Sequence, residues 1–215
     1  MVSPRLHYVH DPLCGWCYAA APLVKVARES FEIVAHAGGM LAGAGRRAVT
    51  PEWRSFVMPH DNRIALASGQ PFGPAYFDGL LRDHSAILDS APPTTAMLAA
   101  DQLGQRGLDL LARMQTAHYL EGRRLADRDV LTALALEIGL ERESFVAAFE
   151  RMSGASTESH FAETRRFLAR VGGNGFPTFA LETGGAFELV GSSSFLGKPD
   201  AWREHLVRLA TARAD

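Results

Sequence analysis

Asp11-Pro12-Leu13-Cys14-Gly15-Trp16-Cys17 holds both cysteines of this 215-residue chain, three positions apart. Before it, Arg5-Leu6-His7-Tyr8-Val9-His10 reads as a short strand in which Leu6, Tyr8 and His10 alternate with His7 and Val9. Asp11 and Pro12 stop it. After it, residues 18–30 read as a helix carrying Leu23, Val24 and Val26, which Pro22 is expected to kink or loosen by a turn. Cys14 then stands at the mouth of a helix and Cys17 one turn further in, a spacing within reach of a disulfide. Free N–H groups and the positive end of the helix dipole at that mouth favour a thiolate at Cys14. The thiolate is the species that attacks disulfides.

Working outward, Phe31-Glu32-Ile33-Val34-Ala35-His36-Ala37 reads as a second strand with Ile33 and Ala35 on one face. Strand, helix and strand in this order require a crossover and a parallel pair. The glycine-rich run 38–45 has no Gly-Lys-Ser/Thr ending and no acid at dinucleotide-site spacing. It reads as a mobile loop at the sheet edge, bordering the cysteines. The next 120 or so residues look almost wholly helical. Thr50-Pro51 starts the first helix, and Pro59, Pro71, Pro74 and Pro92-Pro93 divide this stretch into short pieces. Met97, Leu98, Leu103, Leu108, Leu111, Met114 and Leu120 suit two packed helices. Asp127 or Asp129 caps another, which Gly139 ends, and helices around Phe145, Val146 and Phe149 and over 156–171 complete the run. Strand character returns after Gly172, with Thr183-Gly184-Gly185-Ala186 as a hairpin turn. A last helix starts near Pro199 and buries Trp202, Leu206 and Leu209. The predicted fold class is α/β, two αβ segments (1–49 and 172–215) framing a helical insertion (50–171).

This order, with Cys14-Gly15-Trp16-Cys17 and Phe176-Pro177-Thr178, resembles the thioredoxin superfamily, and more closely its DsbA-like branch, in which a helical domain interrupts the thioredoxin fold. Tyr8-Val-His-Asp-Pro-Leu-Cys-Gly-Trp-Cys-Tyr18 is similar to bacterial members described as predicted disulfide isomerases. The resemblance implies that Cys14 and Cys17 are the catalytic pair. It also implies that Pro177 is cis and packs beside them, and that Trp16, Phe176, Pro177 and Thr178 hold the substrate. Many relatives carry a buried acid in the first strand that helps deprotonate the second cysteine. Tyr8 occupies that place here, with His10 and Asp11 nearby as substitutes. The Gly-Trp dipeptide offers no histidine to the thiolate, so the couple is expected to be less oxidising than strongly oxidising relatives.

The activity so implied is thiol–disulfide exchange by an oxidoreductase or isomerase acting on disulfide- or thiol-bearing proteins or peptides. It needs no metal or organic cofactor, and glutathione or a reductase recycles the pair. Three other readings stand beside it. A zinc site wants four ligands, and no second cysteine pair or close histidine pair completes a set. A glutathione-dependent isomerase or transferase for a small organic molecule shares the architecture but typically presents serine where Cys14 stands. A chaperone would use the insert and not the cysteines. The remaining histidines read as surface or packing residues. A net charge of −2 leaves no basic field for nucleic acid or an anionic membrane. No apolar run reaches the ~20 residues of a span. The first ten residues lack the apolar stretch of a secretory signal, so the expected compartment is the cytoplasm. Monomer and homodimer both remain open.

Overall fold

The computed structural model describes residues 3–212. Residues 1–2 and 213–215, the outer ends of the two αβ segments read from sequence, lie outside the described residues. A four-stranded sheet carries the fold, in the order β2 (Glu32–Ala37), β1 (Arg5–His10), β5 (Thr178–Thr183), β6 (Ala186–Val190). β1 runs parallel to β2, with Leu6 opposite Ile33 and Tyr8 opposite Ala35. β5 pairs antiparallel to β1 and to β6. The hairpin turn is Gly184-Gly185, both at positive φ, as a two-residue turn between twisted strands requires.

The alternation in β1 does not separate a wet face from a dry one. Leu6, Tyr8 and His10 are buried, and so are His7 and Val9. A central strand with helices on both sides loses its polar face. On one side Tyr8 stacks on Phe179, and Phe179 meets Trp202 of α9 (Pro199–Thr211) edge-on. On the other, His7 and His36 stack on Phe167 of α8 (Ala155–Arg170). His7 Nδ1 also lies 2.9 Å from His36 Nε2, and Nε2 lies 2.9 Å from Glu182.

After Cys14 the helix is broken, as Pro22 requires. α1 (Gly15–Ala19) ends at Ala20, and α2 (Ala21–Ala27) restarts with Pro22 in its first turn. Gln70 Nε2 donates to the Tyr18 carbonyl at this break, 3.1 Å.

The inserted helices are α3 (Pro51–Ser68), α4 (Ala91–Gln102), α5 (Gly107–Tyr119), α6 (Arg128–Glu137), α7 (Arg142–Met152) and α8. Thr50 caps α3 by accepting from Trp53 N at 3.1 Å. Pro59 does not divide α3, contrary to its reading as a breaker. The helix continues through it, held by the Thr50 cap, a left-handed Gly69 and a buried stripe of Val57, Asp61, Ile64 and Ser68. Tertiary packing offsets the ~3 kcal/mol a mid-helix proline costs. Pro92 and Pro93 sit in the first turn of α4 and start it. The insertion is not purely helical: β4 (Ile87–Leu88), inside it, pairs with β3 (Arg47–Ala48), just before it, in a two-residue ribbon. Among the described residues no helix is long and apolar enough to cross a membrane.

Candidate active site

Cys14 is the extended residue that caps α1, with φ −91° and ψ 115°. Its N–H donates to Asp11 O at 3.1 Å, and its carbonyl accepts from Cys17 N and Tyr18 N. The N–H groups of Gly15 and Trp16, in the first turn, have no acceptor within the helix. Both cysteines are free thiols. Cys14 retains slight exposure, whereas Cys17 has none. Of the two, only Cys14 can be reached by a second molecule.

The chain returns to the cysteines from the far end of the insert. The Phe176–Pro177 peptide bond is cis. The Cys14 thiol donates to the Phe176 carbonyl across 3.6 Å. Thr178 opens β5, and its Oγ1 donates to Gly175 O at 2.7 Å. A groove of about 560 Å³ runs along this face, with Trp16, Phe176, Pro177, Thr178, Leu189 and Leu196 among its walls. Trp16 is 37% exposed and forms its lip. A cavity of similar size, about 590 Å³, opens between α2 and α5, but neither cysteine lines it.

The surroundings of Cys17 differ from what the sequence suggests. Tyr8 stands in the strand place of a buried acid, and its hydroxyl donates to the Cys17 carbonyl at 3.3 Å. Asp11 is a fully buried carboxylate occupied by other work. Its Oδ1 accepts from Leu13 N (2.9 Å) and the Ser90 hydroxyl (2.8 Å), and its Oδ2 from Met40 N (2.6 Å). Ser90 in turn accepts from Leu41 N at 3.0 Å. One carboxylate thus ties the cysteine turn, the glycine-rich loop and the start of α4 together. The loop at 38–45 is consequently anchored, not free, with Leu41 buried. His10 does not supply a cation. Burial, with His160 and His36 adding to it, drops it from 6.5 to about 3, so the ring is neutral near neutral pH. Burial, then the neighbouring Cys14 sulfur, pushes the Cys17 thiol well above its ordinary range.

Two further groups carry no motif in the sequence. Asp61 is buried on the inner stripe of α3, and burial raises its carboxyl from 3.8 to about 6. Tyr76 donates to it at 2.8 Å. A subtler cue is present: Asp61 falls between Val57 and Ile64, on the apolar face of an amphipathic helix. Gly15 owes its identity to the same helix, since a Cβ there would stand 2.8 Å from Ile64 Cδ1 and 3.1 Å from Asp61 Oδ1. Among the described residues no group of three or more His, Cys, Asp or Glu side chains could hold a metal ion.

No protein-family model and no curated protein matches the chain. Solved structures do. The cytosolic disulfide reductase DsbM from Pseudomonas aeruginosa is 50% identical, with a TM-score of 0.91 over 97% of this chain and 99% of that one. The same protein solved with glutathione is 49% identical, with a TM-score of 0.88 over 95% and 98% of the two chains. A protein from Nitrosomonas europaea, 22% identical and covered end to end with a TM-score of 0.80, shares the fold.

Proposed function

The chain belongs to the DsbA-like branch of the thioredoxin superfamily of thiol–disulfide oxidoreductases, and from that premise we propose that it is a cytoplasmic disulfide reductase recycled by glutathione. The observation that carries this reading is the asymmetry of the pair. Cys14 faces the cis-proline loop at a reachable surface, and Cys17 lies sealed behind it.

In this reading the Cys14 thiolate attacks one sulfur of a substrate disulfide. A Cys14–substrate disulfide forms, and the other substrate sulfur leaves as a thiolate that takes up a proton. Cys17 then gives up its proton and attacks Cys14 Sγ. The Cys14–Cys17 disulfide forms and the second substrate thiol departs. Two electrons have passed to the substrate, and two glutathione molecules return them by becoming one glutathione disulfide. No metal or organic cofactor enters. Burial of Cys17 keeps it protonated until Cys14 is joined to substrate, which prevents wasteful oxidation. Trp16, Pro177 and the Leu189 side of the groove hold the apolar flank of a protein or peptide substrate. Thr178 fixes the loop that carries Pro177. The Phe176 carbonyl, released from Cys14 when that sulfur is ionised, becomes free to pair with an extended substrate backbone.

The test is reduction of a peptide disulfide under excess glutathione, followed by thiol release. Turnover that needs both cysteines is expected. Turnover that survives Cys17→Ser unchanged, with glutathione consumed, would instead favour glutathione chemistry on a small organic molecule.

A further inference from the structure

Asp61 takes no part in the exchange just described, yet α3 delivers it to the turn between the cysteines. Its Oδ1 lies 3.1 Å from the point where a Cβ on Gly15 would stand, one residue from Cys14. Its Oδ2 accepts from the Tyr76 hydroxyl at 2.8 Å. Tyr119 closes the cluster, with its hydroxyl 4.0 Å from the same point on Gly15. Tyr119 is kept protonated first by burial, then by Tyr76, Asp61, Cys14 and Cys17, so one electrostatic neighbourhood contains the carboxyl and both sulfurs. Because residue 15 has no side chain, the carboxyl shares the space beside the cysteine turn with Ile64 Cδ1, 2.8 Å from the same point.

We propose that Asp61 is a positioning residue whose negative charge opposes the Cys14 thiolate, so that the helical insert biases the couple toward giving its electrons away. Two negative charges in a desolvated site repel far more than in water. The species that suffers is the reduced, thiolate-bearing form, and weakening it makes the couple more reducing. This role rests on the reductase reading and deepens it. Asp61 changes charge between mildly acidic and neutral pH, since burial raises it to about 6 against the pull of Tyr76. The groups that face it are Tyr76 and Tyr119, both neutral phenols held up by burial, and His60 on its own helix, which draws it down. Asp11, the other buried carboxylate near the pair, interacts with Cys17 and has its own three donors.

The experiment is the pH profile of Cys14 alkylation by iodoacetamide in a Cys17→Ser background, from pH 5 to 9. With Asp61 present the profile should show an added inflection near pH 6. Asp61→Asn, which keeps an acceptor for Tyr76, should remove that inflection and speed alkylation about three- to tenfold at pH 7.5. In the two-cysteine protein the same substitution should shift equilibrium with glutathione toward the reduced form by a similar factor, tenfold being about 30 mV. Tyr76→Phe should move the inflection to higher pH, a change that a purely structural role would not produce. An Asp61→Asn protein with an unaltered profile and an unaltered glutathione equilibrium overturns the proposal. If that variant does not fold, a Tyr76→Phe inflection that stays in place overturns it equally. Loss of the reductase reading is seen separately, as wild-type protein that reduces no disulfide while the pH 6 inflection persists.

Discussion

A Cβ on Gly38 would stand 2.0 Å from Cζ and 2.2 Å from Cε1 of Phe176, overlapping the edge of the ring. Residue 38 follows β2 directly, and its N–H donates to the His10 carbonyl at 2.7 Å. Residue 176 precedes the cis proline and offers its carbonyl to Cys14. The bare glycine therefore seats the loop that faces the sulfur, joining segments that are far apart in the chain.

Gly38→Ala is expected to push the Phe176 ring off its seat and move its carbonyl away from Cys14. Overpacking of this kind costs about 1–3 kcal/mol. Disulfide-reduction turnover should fall at least severalfold in protein that is still folded at 25 °C. Unchanged turnover would mean that the seat does not control the loop.

Gly15→Ala should destabilise by about 1–2 kcal/mol despite the better helix propensity of alanine, because the new methyl meets Ile64 Cδ1 at 2.8 Å. Ile64→Val removes that carbon. The double variant should recover most of the loss in a denaturant titration. Purely additive losses would show that the two side chains do not compete for one space.

Cys17→Ser should accumulate a mixed disulfide through Cys14 when offered an oxidised peptide, whereas Cys14→Ser should accumulate little. The reason is exposure, since Cys17 is sealed. Mass spectrometry of the adducts reads the outcome directly, and adducts on Cys17 would reverse the roles.

His10 sets a stability window in acid. Its ring is buried, neither nitrogen has a hydrogen-bond partner among the described residues, and it binds a proton in the fold only near pH 3. The unfolded chain binds that proton near 6.5. Stability is thus intact above 6.5 and is lost as pH falls toward 3, with about 2 kcal/mol gone by pH 5. His10→Phe keeps a ring against Tyr8 and should be more stable than wild type at pH 5 by an amount that shrinks toward pH 7.5. A difference independent of pH would place the effect in packing alone.

Much of the architecture was readable because each element announces itself locally. Thr50-Pro51, Gly184-Gly185 and the spacing of Trp202, Leu206 and Leu209 each dictate a cap, a turn or a buried face without help from distant residues. The cysteine turn was readable for the same reason. The features that could not be read depend on contacts across long stretches of chain. Nothing near residue 38 says that Phe176 will fill its missing side chain. Nothing near Asp11 says that Ser90 and Met40 will claim its carboxylate and anchor the glycine-rich loop. Pro59 misled because a local cost near 3 kcal/mol was offset by burial that only the folded insert provides. His10, read as a nearby substitute for the buried acid, proved to be sealed between the covered faces of β1 with neither ring nitrogen paired among the described residues.

The reduction potential of the Cys14–Cys17 couple is where sequence, site and function meet. Neither Gly15-Trp16 nor the neutral His10 supplies a cation to the Cys14 thiolate, and Asp61 opposes it. Equilibration with mixtures of reduced and oxidised glutathione, with quenching and counting of free thiols, measures the potential. The expected value lies at or below about −200 mV, in the range of glutaredoxin- and thioredoxin-type couples that work in a reducing compartment. A value near about −120 mV, that of a strong oxidant with a stabilised thiolate, would contradict it.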